Sequence, residues 1–375
     1  MTSPSTRVLF VDLARAIAVL FMIQGHTIQV LLDPQYQGSL LFDGWLYLRG
    51  LTSCAFLLLS GFSFSLATSR HWNDYVAATP RLWRRLFRFG VFLMLGYAMR
   101  IPIRPLSDFA RATTDQWRSF AVVDILQLVA VTLAALQALV WLSGTRRRLA
   151  VSSLGLAGAI VLLAPLAWQI QWHAVLPVWL ASYLSPGTGS LFPLFPWAAY
   201  ILFGASLGAW FTTWGERQSA DGASRAFLRM GTGLIAAGVV LHLIPFSPYG
   251  PLDFWKISPN LFLVKTGSVL LVLSAVTRAS RTMAALPPVV SALSRESLVI
   301  YLVHICILYG SIWSDGLYQR VGPRLGPAPT FGWIVFLLIS MSVLAWVWHE
   351  CKRRSVQVPA LVRVAVTAGL VYAIA

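Results

Sequence analysis

Apolar runs of about 20 residues recur along this 375-residue chain, separated by short links that contain polar residues, Pro and Arg. A helix needs about 20 residues to cross a bilayer, and a backbone in lipid must satisfy its own hydrogen bonds. With 57% apolar and 11% charged residues and a mean hydropathy of +0.71, the composition excludes a soluble globule. We therefore predict an all-α, polytopic transmembrane bundle that forms one integral membrane domain over residues 1–375.

The apolar runs place about 11 transmembrane helices, ten of them with clear spans. In chain order these cover residues 8–32, 44–68, 83–101, 119–142, 150–170, 192–212, 228–246, 260–278, 294–313 and 331–348. An eleventh run starts near residue 358, is short and contains Arg363. This last run either crosses the membrane or lies in the interface.

Basic residues set the predicted orientation. The net charge of +16 is divided among short links, and without an extended basic segment we expect no nucleic-acid partner. If the N-terminus is cytoplasmic, the inner links hold 17 Lys and Arg residues and the outer links hold 7. The link over 100–118, with four arginines, runs against this asymmetry. The positive-inside rule thus predicts a cytoplasmic N-terminus.

The first run carries more polar groups than an ordinary membrane span: Asp12, Arg15, Gln24 and His26. Ionisable side chains are costly at membrane depth, so they normally face the bundle interior or a hydrated cavity. Arg15 and His26 are eleven residues apart, about three helical turns, and so share one face roughly 16 Å apart along the axis. The spacing indicates that this helix lines a reaction channel, with a cation near the cytoplasmic surface and an imidazole deep inside.

Further polar residues fall at a common depth toward the predicted outer side of other helices. They are Arg49, Asp124, Gln127, Lys265 and His304. Asp124 and Gln127 share a helical face at i,i+3, whereas Ser297, Tyr301 and His304 follow i, i+4, i+7 within SRESLVIYLVHICILYG. This convergence of several helices favours a polar site inside the bundle.

Glycines and cysteines predict packing rather than chemistry. Gly204 and Gly208 are spaced for close approach of a second helix. Cys54, Cys306 and Cys351 lie far apart without metal-type spacing, so we expect neither a disulfide framework nor a metal site.

Taken together, several of these runs resemble a known family. DLARAIAVLFMIQGH resembles the opening helix of membrane acyltransferases, whose hallmark is an arginine followed after ten residues by a histidine. CAFLLLSGFSFSLA (54–67) and SLVIYLVHICIL are similar to their second helix and late Tyr/His helix. VDILQ (123–127), FPLFPWAAYILFGASLG and SPNLFLVK (258–265) are similar to bacterial relatives of lysosomal heparan-α-glucosaminide N-acetyltransferase. Ala16 and Ser294 depart from the pattern, because the family often has glycine there, which puts the detail of helix packing in question.

The resemblance implies acyl transfer across a bacterial inner membrane. The donor is a cytoplasmic acetyl-CoA, or another acyl-CoA, and the acceptor is an amine or hydroxyl group, expected to belong to a sugar, on the outer side of that membrane. It makes the first-helix histidine, His26, catalytic, either as general base or as acyl carrier. The candidate catalytic residues are then His26, Asp124, His304 and Tyr301. Candidate donor-binding residues are Arg15, Arg84, Arg85 and Arg88, and candidate substrate-binding residues are Arg49, Gln127 and Lys265.

Each candidate has a chemical role to fill. Asp124 is expected to hold the imidazole tautomer or to orient an amine, and Arg49 or Lys265 to stabilise an oxyanion or bind an acidic acceptor. His304 and Tyr301 are candidates for protonating the leaving thiolate or binding the acceptor. The arginines suit the phosphates of CoA, although membrane topology alone also accounts for arginines at this surface.

Two other functions fit the same sequence. A proton-coupled transporter or flippase also needs intramembrane His, Asp and Lys residues, but it fits better with inverted repeats, which are not visible. A non-catalytic subunit of a larger membrane complex retains the acyltransferase fold without its chemistry. The expected partners are membrane lipids and a small-molecule or saccharide acceptor, with a homo-oligomer or complex subunits as further candidates.

Overall fold

The computed structural model describes residues 8–101, 111–214, 220–244, 247–311 and 314–355, together with residues 357, 361 and 362. Over these residues the backbone is predominantly helical and forms no strand; its one isolated bridge joins Leu32 to Leu325. The prediction of an all-α, polytopic bundle is therefore confirmed.

Sixteen α-helices are assigned within the described residues. They are α1 Leu9–Leu31, α2 Leu40–Arg70, α3 Trp72–Val76, α4 Pro80–Ala98, α5 Thr114–Ala121, α6 Ile125–Ser143, α7 Arg146–Gln169, α8 Val178–Leu184, α9 Leu194–Thr213, α10 Ala220–Leu243, α11 Phe254–Ile257, α12 Pro259–Ser280, α13 Pro288–Arg295, α14 Ser297–Tyr309, α15 Leu317–Arg320 and α16 Pro327–Arg354. Several begin at side-chain caps: Thr79, Thr113, Asp124 and Thr145 accept hydrogen bonds from the exposed N–H groups of the first turn.

In the described part of the chain, eight helices are long and apolar enough to cross a membrane: α1, α2, α6, α7, α9, α10, α12 and α16. The pair α13 and α14, bent by 76°, makes a ninth if it counts as one broken span. Helix α4, which covers most of the predicted span 83–101, is not among them. Its first turns carry Arg81, Arg84, Arg85 and Arg88. The run predicted from about residue 358 lies almost wholly outside the described residues.

Two predicted spans are wrong as continuous helices. The span 119–142 is divided into α5 and α6 because the Asp124 side chain caps α6, in a capping box with Gln127. The span 294–313 breaks at Glu296, which separates α13 from α14. The Glu296 carboxylate is buried and accepts hydrogen bonds from Lys352 Nζ at 2.6 Å and, at 3.1 Å, from His349 Nδ1 of α16. These contacts hold the chain at the bend.

The chain divides into two compact units, and the boundary falls within α2. The first unit is drawn from Met1–Ser53, Ile103–Arg111 and Ala279–Ala375, and the second from Cys54–Pro102 and Ala112–Arg278. The apolar core of the first unit lies between α1, α13, α14 and α16 and includes Val19, Ile23, Ile300, Leu308 and Leu337. The prediction of a single domain over residues 1–375 stays a prediction.

Close packing of α2 on α9 organises the second unit. A Cβ added at Gly61 would lie 1.8 Å from the Ile201 carbonyl oxygen, and one at Gly204 would lie 2.0 Å from the Leu58 carbonyl oxygen. Only glycine admits backbones this near, so the predicted packing role of Gly204 and Gly208 is confirmed.

Candidate active site

Two histidines from distant parts of the sequence form a direct pair in the first unit. His26 on α1 and His304 on α14 lie with ring centroids 5.3 Å apart and ring planes 9° from parallel. His26 Nδ1 lies 3.0 Å from His304 Nε2, and His304 Nδ1 lies 2.6 Å from the carbonyl oxygen of Ile300. His304 is fully buried, whereas His26 is half-buried.

The hydrogen bonds fix the proton positions in the neutral pair. A carbonyl oxygen can only accept, so His304 Nδ1 carries a proton and its Nε2 carries the lone pair. His26 Nδ1 must then donate to that lone pair, which leaves His26 Nε2 as the basic nitrogen. None of the described residues hydrogen-bonds to His26 Nε2. The pair therefore presents one imidazole nitrogen with its lone pair available.

Two tyrosines of α14 flank the histidine pair. Tyr301 packs edge-on against His304 with ring centroids 5.8 Å apart, and Tyr309 packs edge-on against His26 at 6.2 Å. The predicted candidates His26, His304 and Tyr301 are thus brought together. Tyr309 was missed by the sequence reasoning; it lies five residues after His304, beyond the i+3 and i+4 positions used to define the polar face.

Arg49 extends this group toward the neighbouring turn of α1. Its guanidinium donates to Gln29 Oε1, which also accepts from the Tyr309 hydroxyl at 3.3 Å. A Cβ at Gly25 would lie 3.0 Å from Arg49 Cγ, so the Arg49 side chain crosses α1 beside His26. Gln29 was also missed, although its position three residues after His26 places it on the same helical face.

Arg15, the predicted donor ligand on α1, is paired within its own helix. Arg15 Nη1 lies 3.8 Å from Asp12 Oδ1, which also accepts from the Ser294 hydroxyl at 3.0 Å. Both charged side chains are mostly buried, with 22% and 16% of their surface exposed. Ser294, one of the departures from the family pattern, thus joins α13 to α1 by a polar contact.

The arginines of α4 belong to the second unit and differ from one another. Arg85 is buried, donates to Thr68 Oγ1 at 2.9 Å and Gln137 Oε1 at 3.1 Å, and lies 3.3 Å from the Tyr75 ring centroid. Its guanidinium is occupied by these partners, which is the geometry of a structural arginine. Arg84 and Arg88 are exposed.

Asp124, Gln127 and Lys265 also lie in the second unit. The Asp124 carboxylate accepts from Arg100 Nη2 at 2.9 Å, and Gln127 is fully buried next to Gly96. Lys265 is half-buried and forms no ion pair or hydrogen bond with any described residue. Arg100 was missed because the sequence places it in a link.

The described residues of the site include no cluster of metal-ligating side chains. Across the described ranges, no group of three or more His, Cys, Asp or Glu side chains is placed to hold a metal ion. The contacts of the histidine pair are those of an imidazole base with the Arg49 side chain beside it.

Comparison with known proteins identifies the family. The model of the heparan-alpha-glucosaminide N-acetyltransferase catalytic family matches residues 7–238, which include Arg15, His26, Asp124 and Gln127. Neither the curated proteins nor the solved structures give a match. The matched range covers more than half of the chain, so this protein belongs to the heparan-alpha-glucosaminide N-acetyltransferase family of membrane acetyltransferases.

Proposed function

We propose that this protein transfers an acetyl group from cytoplasmic acetyl-CoA to an amine or hydroxyl group of a sugar acceptor, and that His26 Nε2 is the base. The observation that carries the proposal is the hydrogen-bonded chain from the Ile300 carbonyl through His304 to His26. It orients the imidazole and leaves its distal nitrogen unprotonated, as a general base requires. Family membership supports acetyl transfer as the reaction.

The proposed step balances without a further reagent. The acceptor N–H or O–H gives its proton to His26 Nε2 while its nitrogen or oxygen forms a bond to the thioester carbonyl carbon. The carbon–sulfur bond then breaks, the products being the acetylated acceptor and the CoA thiolate. The imidazolium returns its proton to that thiolate, which restores the neutral pair and releases CoA.

A covalent route uses the same nitrogen. His26 Nε2 attacks the thioester carbonyl carbon, the carbon–sulfur bond breaks and CoA leaves as the thiolate. The acceptor then attacks the acetyl-imidazolium, the carbon–nitrogen bond breaks to restore the neutral imidazole, and the acceptor's proton passes to the CoA thiolate. Incubation with radiolabelled acetyl-CoA in the absence of acceptor separates the routes. The covalent route leaves acid-labile label on the wild-type protein, and direct transfer leaves none.

Arg49 is the residue that we propose to stabilise negative charge in the reaction. Its guanidinium lies across Gly25, next to the reacting imidazole, and Gln29 holds it in position. A fixed cation close to the carbonyl oxygen stabilises the oxyanion that develops during attack. We assign Arg49 to this role. We do not assign Asp124 a contact with the imidazole, because the Asp124 carboxylate is paired with Arg100.

The donor phosphates need cations at the cytoplasmic surface. Arg15, Arg84 and Arg88 keep this proposed role, the last two because they are exposed. We omit Arg85, whose guanidinium is committed to Thr68, Gln137 and Tyr75. A cytoplasmic N-terminus in a bacterial inner membrane then puts the donor inside and the acceptor outside.

The test is acetyl transfer by the purified full-length protein in detergent, with radiolabelled acetyl-CoA and either glucosamine or methyl glucoside as acceptor. We expect His26→Ala to lower turnover by about 100-fold or more, since general-base groups contribute factors of that order. His173→Ala, a change of an exposed histidine, is the matched control and is expected to turn over normally. Normal turnover by a folded His26→Ala protein would overturn the proposal. Transport of unmodified sugar without any CoA requirement would favour a transporter instead.

A further inference from the structure

The start of α6 contains a buried side chain with unused hydrogen-bond donors. Gln127 folds back over the helix terminus, where its Oε1 accepts from the Asp124 backbone N–H at 3.3 Å. The side chain is fully buried, and its Nε2 has no hydrogen-bond partner among the described residues. A buried N–H group without an acceptor destabilises the fold, so its presence calls for an explanation.

A second unused donor belongs to Arg100, which hydrogen-bonds to the same residue, Asp124, as Gln127 does. Arg100 Nη2 donates to Asp124 Oδ2 at 2.9 Å, whereas Arg100 Nε is buried and finds no acceptor in the described part of the chain. The Asp124 side chain keeps 26% of its surface exposed. One partly open carboxylate therefore lies next to two kinds of buried N–H donor.

Gly96 makes room for this arrangement. A Cβ at Gly96 would lie 2.6 Å from both Cδ and Oε1 of Gln127 and 3.1 Å from its Nε2. The amide of Gln127 thus occupies the space that any other residue at position 96 would fill. Gly90, on the same helix, has open space at its Cβ position. The two glycines provide a matched pair for testing the position of the amide.

The donor and acceptor pattern selects the chemistry of a ligand. The unused N–H groups require an oxygen that accepts, and the Asp124 carboxylate requires a group that donates. A hydroxyl does both. The Arg100 and Asp124 charges offset each other, and the carboxylate repels an anion, so a neutral ligand suits the site better than a carboxylate or phosphate.

Several aromatic residues lie within a few positions of Arg100 and Asp124 in the sequence and contact one another. The Tyr97 and Phe120 rings lie 5.3 Å apart, and Trp117 meets Phe120 edge-on at 6.0 Å with 42% of its surface exposed. The Tyr97 and Tyr183 hydroxyls are 3.1 Å apart, and burial raises the pKa of Tyr183 well above its ordinary value. The Tyr183 phenol therefore stays neutral, and the aromatic rings have apolar faces of the kind that pack on the C–H face of a sugar ring.

We propose that Arg100, Asp124 and Gln127 form a binding site for a neutral polyhydroxylated ligand, a pyranoside. Hydroxyl oxygens of the ligand accept from Gln127 Nε2 and from Arg100 Nε, and a ligand O–H donates to Asp124. The site depends on the proposed function only if the bound pyranoside is also the acetyl acceptor. Binding itself is measurable without any transfer.

The test is calorimetric titration of the full-length protein in detergent with methyl glucoside and with methyl glucuronide, its anionic counterpart. Wild type is expected to bind the neutral sugar at least tenfold more tightly. Gln127→Met and Gly96→Ala are each expected to weaken that binding about tenfold, one lost good hydrogen bond being enough for this factor. Gly90→Ala is expected to bind as wild type does. Asp124→Asn is expected to improve glucuronide binding about tenfold, because it removes the repelling charge.

The outcomes separate this inference from the proposed function. His26→Ala is expected to bind methyl glucoside as wild type does while losing transfer. If Gln127→Met binds the neutral sugar normally, or wild type binds neither sugar but still transfers acetyl groups, the site is wrong and the proposed function stands. If Gln127→Met loses binding but folded His26→Ala retains turnover, the site stands and the proposed base is wrong.

Discussion

The Arg85 cluster of the second unit and the histidine pair of the first both bury polar side chains among apolar helices, yet they differ in what remains unsatisfied. Arg85 meets Thr68, Gln137 and the Tyr75 ring, so its guanidinium is well supplied with partners. His26 uses only one ring nitrogen within the described structure. A buried polar group with all its partners stabilises a fold, whereas one that retains a reactive atom is suited to chemistry.

The largest effect that tests this difference is expected at His304. His304→Phe removes the acceptor for His26 Nδ1, which frees the imidazole to change tautomer and rotate. We expect turnover to fall about 100-fold, as is typical when the partner of a catalytic imidazole is lost. The affinity for acetyl-CoA should change little, so kcat rather than KM carries the loss. If the smaller folded fraction accounted for the whole loss of activity, His304 would instead act in packing alone.

Arg85 should show the opposite pattern. Arg85→Met leaves Thr68 and Gln137 without their donor, and we expect a loss of about 2–4 kcal/mol in unfolding free energy. The folded fraction should still transfer acetyl groups at the wild-type rate. Unfolding in detergent with increasing denaturant measures the first quantity, and turnover per folded molecule the second. A stable variant with a raised KM for acetyl-CoA would restore Arg85 to the donor site.

A smaller effect is expected where α1 supports Arg49. Gly25→Ala puts a Cβ 3.0 Å from Arg49 Cγ, so the side chain must move by a few tenths of an ångström. Because the guanidinium is proposed to face the oxyanion, we expect turnover to fall about fivefold, a small part of the cost of deleting such a group. Gly44→Ala on α2, where a Cβ meets open space, is the control. Identical turnover in both variants would argue against Arg49 at the oxyanion.

The smallest effect is expected at the exposed arginines. Arg88→Gln removes one solvent-facing cation, and we expect about a twofold rise in KM for acetyl-CoA with kcat unchanged, because exposed ion pairs contribute little. The rise should disappear with a donor analogue that lacks the nucleotide phosphates. If the rise in KM persisted with the analogue, Arg88 would not act on the nucleotide phosphates.

The fold class was predictable because hydropathy and backbone hydrogen bonding leave few choices in a membrane. The positions at which the helices break could not be predicted from hydropathy. The break before α6 depends on the Asp124 side chain acting as a cap, and the bend at Glu296 depends on Lys352 and His349, which are distant in sequence.

The candidate site shows the same contrast between what local sequence spacing predicts and what contacts between distant residues decide. Spacing along α1 and α14 identified His26, His304 and Tyr301 as inward-facing polar residues, whereas their hydrogen-bond order depends on how the two helices meet. Spacing also could not distinguish Arg85 from Arg84 and Arg88, because burial of one arginine in a basic turn is decided by its tertiary neighbours.

The tautomer of His26 tests the account most directly. Nitrogen-15 NMR of protein labelled only at its six histidines distinguishes a protonated ring nitrogen from one with a lone pair, and His26→Gln identifies the His26 signals by their loss. The account predicts that neutral His26 carries its proton on Nδ1 and its lone pair on Nε2, and that His304→Phe yields a mixture of tautomers. A wild-type His26 protonated at Nε2 and unprotonated at Nδ1 would contradict it.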